Sequence, residues 1–533
     1  MAREGLTSLD WIVVAIYGVG MLLLGAYYAR RQHSTEDYFV GGRSLNSTAV
    51  GISLLATLLS TISYMATPGE MIAKGPMIGM GVVAIPITYF IVGYVLLPMI
   101  MRHRVTSAYE FLEERLGLGP RLLAASMFLV LRMTWMAVMI HVASVAVVGI
   151  LGLTEDQQKW AVPVSILICG VVAVVYTAMG GLRAVVTSDV IQFFLLFGGA
   201  LLTILLVTMK FGGFDWWPTE WHSHWHQQPI FSFDPTVRVT LVGTILGGSL
   251  WWICTAGSDQ TAIQRFMATG STQAARRSFL VNLIADVVVM TLLVIVGLAL
   301  LGFYSRQAAA SSDIMDLVNE GDKLFPRFIA TQMPSGIAGL VVAALFAAVM
   351  SSLDSGLNST ASVIIIDFIR RFGKRAHTAA EDLQLSRYLT LGMGLVIVLL
   401  AMMVQKVPGN ILEVSQKTVG LLVAPLFGIF FLAFFVRFAT AFGAMFGGWY
   451  SCTAAFLIAF WPAVTGGPDL SFQWIIPGSL VVSIVTGVLF SLLPTDRVNL
   501  ITRMQLSLVV GLPIGACNAW IVWNLVCRAL GIG

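Results

Sequence analysis

The run Ala347-Ala348-Val349-Met350-Ser351-Ser352-Leu353-Asp354-Ser355-Gly356-Leu357-Asn358-Ser359-Thr360 sets hydroxyls, one carboxylate and one amide inside a long apolar segment that starts near Ile337. Polar oxygens at membrane depth cost free energy and persist where they have a task. On a helix, Ala348, Ser351 and Ser352 fall at i, i+3 and i+4 and share one face. Ser351, Asp354 and Ser355 repeat that spacing and overlap the first set at Ser351. Two clusters of small oxygen donors stacked along one helix suit a small hard cation, which takes only oxygen ligands. Packing by small residues is the competing reading. It accounts for Ala and Ser but gives no reason for Asp354.

The elements that must position these residues are membrane helices. The chain has 533 residues, 57% hydrophobic and 11% charged. Soluble domains carry about 25% charge, so this composition is that of an all-α polytopic membrane protein. Roughly fourteen apolar stretches are long enough to cross a bilayer. They run near 9–28, 48–73, 79–101, 121–150, 160–179, 184–210, 238–256, 279–303, 336–369, 385–405, 409–436, 441–462, 473–493 and 504–527. The span at 48–73 is unusual, with Ser53, Thr57, Ser60, Thr61, Ser63 and Thr67 before Pro68-Gly69. That pattern fits a discontinuous helix whose freed carbonyls bind an ion, or a hydroxyl-rich packed helix that ends at Pro68. The span 9–28 lacks a small-residue cleavage site and reads as a retained helix.

Lys and Arg concentrate in the connections at 29–47, 102–121, 257–278, 370–387 and 494–503, which favours both termini on the outer side. The pairs Arg370-Arg371 and Lys374-Arg375 read as a topology determinant that meets anionic lipid. Of the outer loops, 211–237 is rich in Trp and His and 304–335 reads as an amphipathic surface helix. His222, His224 and His226 have the chemistry for a metal, but Trp-rich loops more commonly anchor at the interface. The five cysteines (Cys169, Cys254, Cys452, Cys517, Cys527) show no disulfide or zinc spacing. No nucleophile–base or metal-hydrolase motif stands in a fitting context, which points away from an enzyme. Nothing calls for an organic cofactor, a nucleic acid or a protein partner. Arg132, His141 and Asp286 are intramembrane ionisable residues. Arg132 is a candidate counter-ion for an anionic solute, or pairs with Asp286 or another acid. His141 reads as packed or interfacial.

Several segments together resemble the sodium/solute symporter family of sodium-coupled glucose, proline, pantothenate, iodide and monocarboxylate carriers. They are Ser34-Thr35-Glu36-Asp37-Tyr38-Phe39 with Gly41-Gly42-Arg43-Ser44-Leu45; Tyr176-Thr177-Ala178-Met179-Gly180-Gly181-Leu182-Arg183-Ala184 with Asp189 and Gln192; Ser258-Asp259-Gln260 with Gln264-Arg265; and Ser351–Asn358. The resemblance implies a LeuT-like core of two inverted five-helix halves, at 48–210 and 238–436. One helix (9–28) precedes it and three (441–527) follow, all within a single transmembrane domain. It implies a sodium site formed by the carbonyls of Ala56, Leu59 and Ala348 and the hydroxyls of Ser351 and Ser352. A second sodium site would use Asp189 with Ser351, Asp354 and Ser355. A cap near its helix end is an alternative role for Asp189. At position 354 the resemblance leads one to expect a hydroxyl, so Asp354 either tightens sodium binding or titrates with a proton.

The solute is where the sequence departs from the sugar carriers. Positions that bind sugar there correspond here to Leu58, Ser63, Val82, Trp252, Thr255 and Asp286. A polyol buried against Leu, Val and Trp would leave hydroxyls unpaired at about 1–3 kcal/mol each. The expected substrate groups are Ser63, Trp252, Thr255 and Gln416. Met65-Ala66-Thr67-Pro68-Gly69-Glu70 resembles the iodide, monocarboxylate and vitamin branch. The expectation is therefore a plasma-membrane symporter (inner membrane in a bacterium) that imports a small organic solute, a monocarboxylate favoured, with sodium by alternating access. Sodium/sugar or sodium/amino-acid symport, a proton-coupled carrier and a membrane sensor are the alternatives.

Overall fold

Apolar stretches that must satisfy every backbone amide inside the membrane become helices. The computed structural model describes residues 5–30, 35–59, 61–103, 105–151, 153, 155–308, 318, 320–373, 379–404, 411–495 and 500–529, and these contain helices and no strand. Lys374 and Arg375, Ser34, Ser60 and most of the region between Ala308 and Glu320 lie outside the described residues.

Among the described residues thirteen helices are long and apolar enough to span, and a bent pair makes a fourteenth span. In chain order we label them α1 (Ser8–Ala29), α2 and α3 (Ser47–Leu58 and Ser63–Lys74, the bent pair), α4 (Pro76–Met101), α5 (Leu118–Ile150), α6 (Asp156–Val175), α7 (Thr177–Phe211) and α8 (Leu241–Ser258). The short helix α9 (Gln260–Met267) continues α8. Then come α10 (Thr272–Arg306), α11 (Ile337–Phe372), α12 (Gln384–Val404), α13 (Ser415–Phe435), α14 (Ala441–Ala459), α15 (Phe472–Ser491) and α16 (Met504–Ile521). The fourteen spans fall where the hydrophobic runs place them.

Burial sorts the spans into centre and rim. The most apolar window of α11 is 83% buried, against 17% in α1 and in α16. The helix that carries the hydroxyl run is therefore the axis of the molecule. Two spans are broken. α2 and α3 meet at 59°, and Leu59 leaves the helix in an extended conformation (φ −77°, ψ 104°). α8 and α9 part at Asp259 (φ −80°, ψ 120°). These are the first spans of the two expected five-helix halves, the pair that an inverted repeat would break alike.

The helical course that runs from α6 is interrupted near the start of α7, at Gly181 (φ 59°, ψ −174°). Side chains with a Cβ avoid that conformation, so the Gly180-Gly181 motif lets two spans join without a loop. Arg183, just beyond, donates from Nε and Nη2 to the Gly41 carbonyl at 3.2 and 3.0 Å. Gln264 donates to Asn358 Oδ1 at 2.8 Å and to the Phe39 carbonyl. The segments that carried the family resemblance thus meet one another and close one end of the bundle.

The loop 211–237 departs from the interface-anchor expectation for two of its indoles. Trp217 and Trp221 are about half exposed, but Trp216 and Trp225 are buried. Trp216 Nε1 donates to Thr208 at 3.0 Å and Trp225 Nε1 to the Ile72 carbonyl at 3.3 Å. His224 Nε2 also sits 3.1 Å from that carbonyl, and no group of three metal-binding side chains occurs among the described residues. The loop is a cover over the end of α3. The described part of 304–335 includes a helix at Gly321–Gln332 whose Leu324, Phe325, Phe328 and Ile329 are buried.

Candidate functional site: a helix break, a buried ion pair and a cavity

The α2–α3 break leaves the last α2 carbonyls without intrahelical donors. Two α11 hydroxyls answer them. Ser351 Oγ donates to the Ala56 carbonyl at 2.8 Å and lies 3.0 Å from the Ala348 carbonyl. Ser352 Oγ donates to the Thr57 carbonyl at 2.9 Å. Ala56, Ala348, Ser351, Ser352 and Leu59 are all buried. Three of the five residues expected at the first ion site, Ala56, Ala348 and Ser351, are joined here by hydrogen bonds, and Ser352 bonds to the next carbonyl along, that of Thr57. Leu59 lies at the break itself, and no described hydrogen bond links it to either serine. Carbonyls and hydroxyls alone make a neutral all-oxygen set that suits a monovalent hard cation.

The second expected cluster is arranged differently from its sequence reading. Asp189 Oδ2 accepts from Ser53 Oγ, from Thr57 Oγ1 at 3.4 Å, and from Arg265 Nη2 at 3.1 Å. Arg265 is fully buried; it also donates from Nε to Ser53 Oγ at 3.0 Å and from Nη2 to Ser355 Oγ. Ser355 Oγ is 2.8 Å from Thr57 Oγ1. So Asp189 and Ser355 are brought together through Thr57 and a guanidinium. Ser351 bonds to the Ala56 and Ala348 carbonyls instead, and Asp354 accepts from Thr177 Oγ1 at 3.0 Å. Asp189 is a paired buried carboxylate, not a helix cap. Thr57 is the residue whose role the sequence did not single out: its carbonyl serves Ser352 and its hydroxyl serves the Asp189 cluster. Three buried acceptors, Asp189 Oδ1, Asp354 Oδ2 and Gln192 Oε1, have no hydrogen-bond partner among the described residues.

On the other side of the break lies a cavity of about 280 Å³. Ser63, Trp252, Asp286 and Gln416 line it, with Leu58 and Val82. Thr255 does not; it is buried, and its carbonyl accepts from the Asp259 amide at 3.1 Å. Trp135 and Trp251 add further indole faces. Arg132 also stays out of the lining. Its guanidinium grips Asp259 at the α8–α9 break, through Nη2 and through Nε at 3.3 Å. That pairing replaces the counter-ion role considered for Arg132, and its partner is not Asp286. His141 is half-buried on α5. Glu70 lines the cavity as a neutralised carboxylate, since Arg238 reaches both its oxygens, the longer contact being 3.1 Å.

The model of the sodium:solute symporter family matches residues 38–451. The chain belongs to that family. It is 28% identical to the sodium/sialic acid symporter SiaT of Proteus mirabilis over 442 residues, 80% of this chain and 84% of that one. It is likewise 28% identical to the sodium-coupled monocarboxylate transporter 1 of Mus musculus, over 79% of this chain and 68% of that one. The solved structure of a substrate-bound, outward-open sodium-coupled sialic acid symporter superposes with a TM-score of 0.74 at 27% identity, covering 91% of this chain and 98% of that one. A nucleobase-cation symporter at 13% identity and a TM-score of 0.52 shares the fold alone. The protein is therefore a polytopic, sodium-coupled carrier of small solutes with the five-plus-five fold, and not an enzyme.

Proposed function

We propose that sodium binds between α2 and α11, at the carbonyls of Ala56, Leu59 and Ala348 and the hydroxyls of Ser351 and Ser352. The solute occupies the cavity against Ser63, Trp252 and Gln416. The observation that carries this reading is the pair of α11 hydroxyls seated on α2 carbonyls at a helix break, 2.8 and 2.9 Å away. An ion there ties the broken helix to the axial helix, and it shifts the conformational equilibrium by its differential affinity for the two states. One charge moving down 100 mV gains about 2.3 kcal/mol, and a tenfold gradient adds about 1.4 kcal/mol. A second cation position beside Asp189 and Asp354 has support in the three partnerless acceptor oxygens. Arg265 already balances Asp189, so the charge left to such a cation is that of Asp354.

The cavity is near the small end of ligand pockets, which run from about 300 Å³ upward, and suits a small solute. The monocarboxylate favoured by the sequence has the carriers of monocarboxylates among the relatives in its support. Its lining speaks against it, because no Lys, Arg or His is among the described lining residues. The Lys- and Arg-rich connections at 29–47, 102–121, 257–278, 370–387 and 494–503 support both termini outside, and a plasma membrane is the host this reading assigns.

The test is thermal unfolding of the purified protein in sodium and in potassium, for the wild type and for Ser351→Ala/Ser352→Ala. Sodium raises the melting temperature of the wild type, potassium does not, and the double variant loses the shift. Stabilisation by acidification with no response to sodium would instead make it a proton-coupled carrier.

A further inference from the structure

Asp286, half-buried on α10, differs from the buried acidic side chains among the described residues. Asp189 carries Arg265, Asp259 carries Arg132, and Asp367 carries Arg121. Asp10 caps the backbone amides of Gly336 and Gly339, each at 2.8 Å, and Asp354 has Thr177. Asp286 has no hydrogen bond or ion pair among the described residues, and it lines the cavity. It stands 14 residues into α10, counted from Thr272 to 286, roughly 21 Å along the axis, far from either end of its helix. A carboxylate at such depth is kept where it has a partner for part of a cycle. The described residues supply none, which leaves that part to the cavity's occupant.

The rest of the lining fixes what that occupant is. Trp135, Trp251 and Trp252 turn three indoles toward one cavity, with Trp251 and Trp252 edge to face at 4.8 Å. Indole faces attract cations, more so once both are stripped of water, and quaternary ammonium groups are the cations such aromatic sites commonly recognise. The other carboxylate of the lining, Glu70, is already neutralised by Arg238. What remains is one negative charge, aromatic faces and a few neutral polar groups.

We propose that the solute carries an ammonium group, which sits against the Asp286 carboxylate and the Trp252 indole. This deepens the symport reading and rests on it. It also sets the charge moved per cycle: a singly charged ammonium solute with one sodium carries two positive charges inward, where a neutral solute would carry one.

The probes are choline, tetramethylammonium, proline, pyruvate and galactose, added in sodium to the wild type, to Asp286→Asn and to Trp252→Leu. Melting temperature and equilibrium dialysis of radiolabelled choline are the readouts. In the wild type, choline or tetramethylammonium gives a further shift that pyruvate and galactose do not. Asp286→Asn weakens that binding roughly tenfold or more, and Trp252→Leu weakens it by a smaller factor. The sodium shift itself survives in both variants, which shows that they are folded and that the ion site is intact. Binding of pyruvate or galactose in place of the ammonium probes overturns the proposal, as does silence of every ammonium probe or unchanged choline affinity in Asp286→Asn. Absence of a sodium shift in the wild type would instead sink the symport reading, independently of what choline does.

Discussion

The two sides of the helix breaks treat charge in opposite ways. On the closed side, Asp189, Asp259 and Asp367 are buried and each holds an arginine; Glu113 joins Arg121 and Arg371 into the same web. On the cavity side, Glu70 is matched by Arg238 but Asp286 lines the cavity with no counter-charge among the described residues. Buried ion pairs contribute little net stability over apolar packing but are costly to break. Breaking any one of them strands a buried charge, so each pair resists release. A carboxylate without a counter-charge is the reverse: it leaves a position for something that enters and leaves.

The sharpest way to break this comparison is to remove one member on each side. Asp259→Asn strands the Arg132 guanidinium and should destabilise the protein by about 3–5 kcal/mol. Replacing both, as Arg132→Met/Asp259→Leu, should recover most of that loss. Asp286→Asn removes a charge that has no protein partner, so stability should stay level or rise by about 1 kcal/mol. Unfolding of the three variants by heat or denaturant in the same detergent checks both halves. An Asp286→Asn loss as large as that of Asp259→Asn would show that Asp286 is held by the protein after all.

A smaller effect sharpens the contrast at the surface. Burial lowers the His222 and His226 pKa values, and the neighbouring His224 adds to this for His222, as Arg238 and Lys74 do for His226. The unfolded chain then binds protons that the folded loop refuses. Stability from the loop is complete above the ordinary histidine value of about 6.5 and declines as pH falls below it. Melting temperatures between pH 7.5 and 5.5 should fall for the wild type and fall less for His226→Gln.

Much of the fold was legible because a membrane span is a local property of the sequence. Each apolar run reports its own helix, and the Ser351, Ser352 spacing reports its own face. Pro68-Gly69 and the hydroxyls before it flagged a broken span, although the bend falls earlier, after Leu58. What spacing does not report is who fills a cluster from afar. Arg265 reaches Asp189 across 76 positions and Arg132 reaches Asp259 across 127, so neither pairing leaves a periodic trace. The same holds for Thr255, which shares a helix with Trp252 yet turns away from the cavity, and for the two buried indoles of the 211–237 loop. Asp286 is visible in the sequence as an intramembrane acid; that it has no partner among the described residues follows only from where their arginines lie.

The central claim is that sodium sits at the α2–α11 junction. Equilibrium binding of radioactive sodium to the purified protein tests it most directly, with Ser351→Ala/Ser352→Ala and Asp189→Asn beside the wild type. Saturable sodium binding to the wild type that disappears in the serine double variant, and persists at one site in Asp189→Asn, is the predicted result. Undiminished binding in the double variant would place the ion elsewhere and contradict the account.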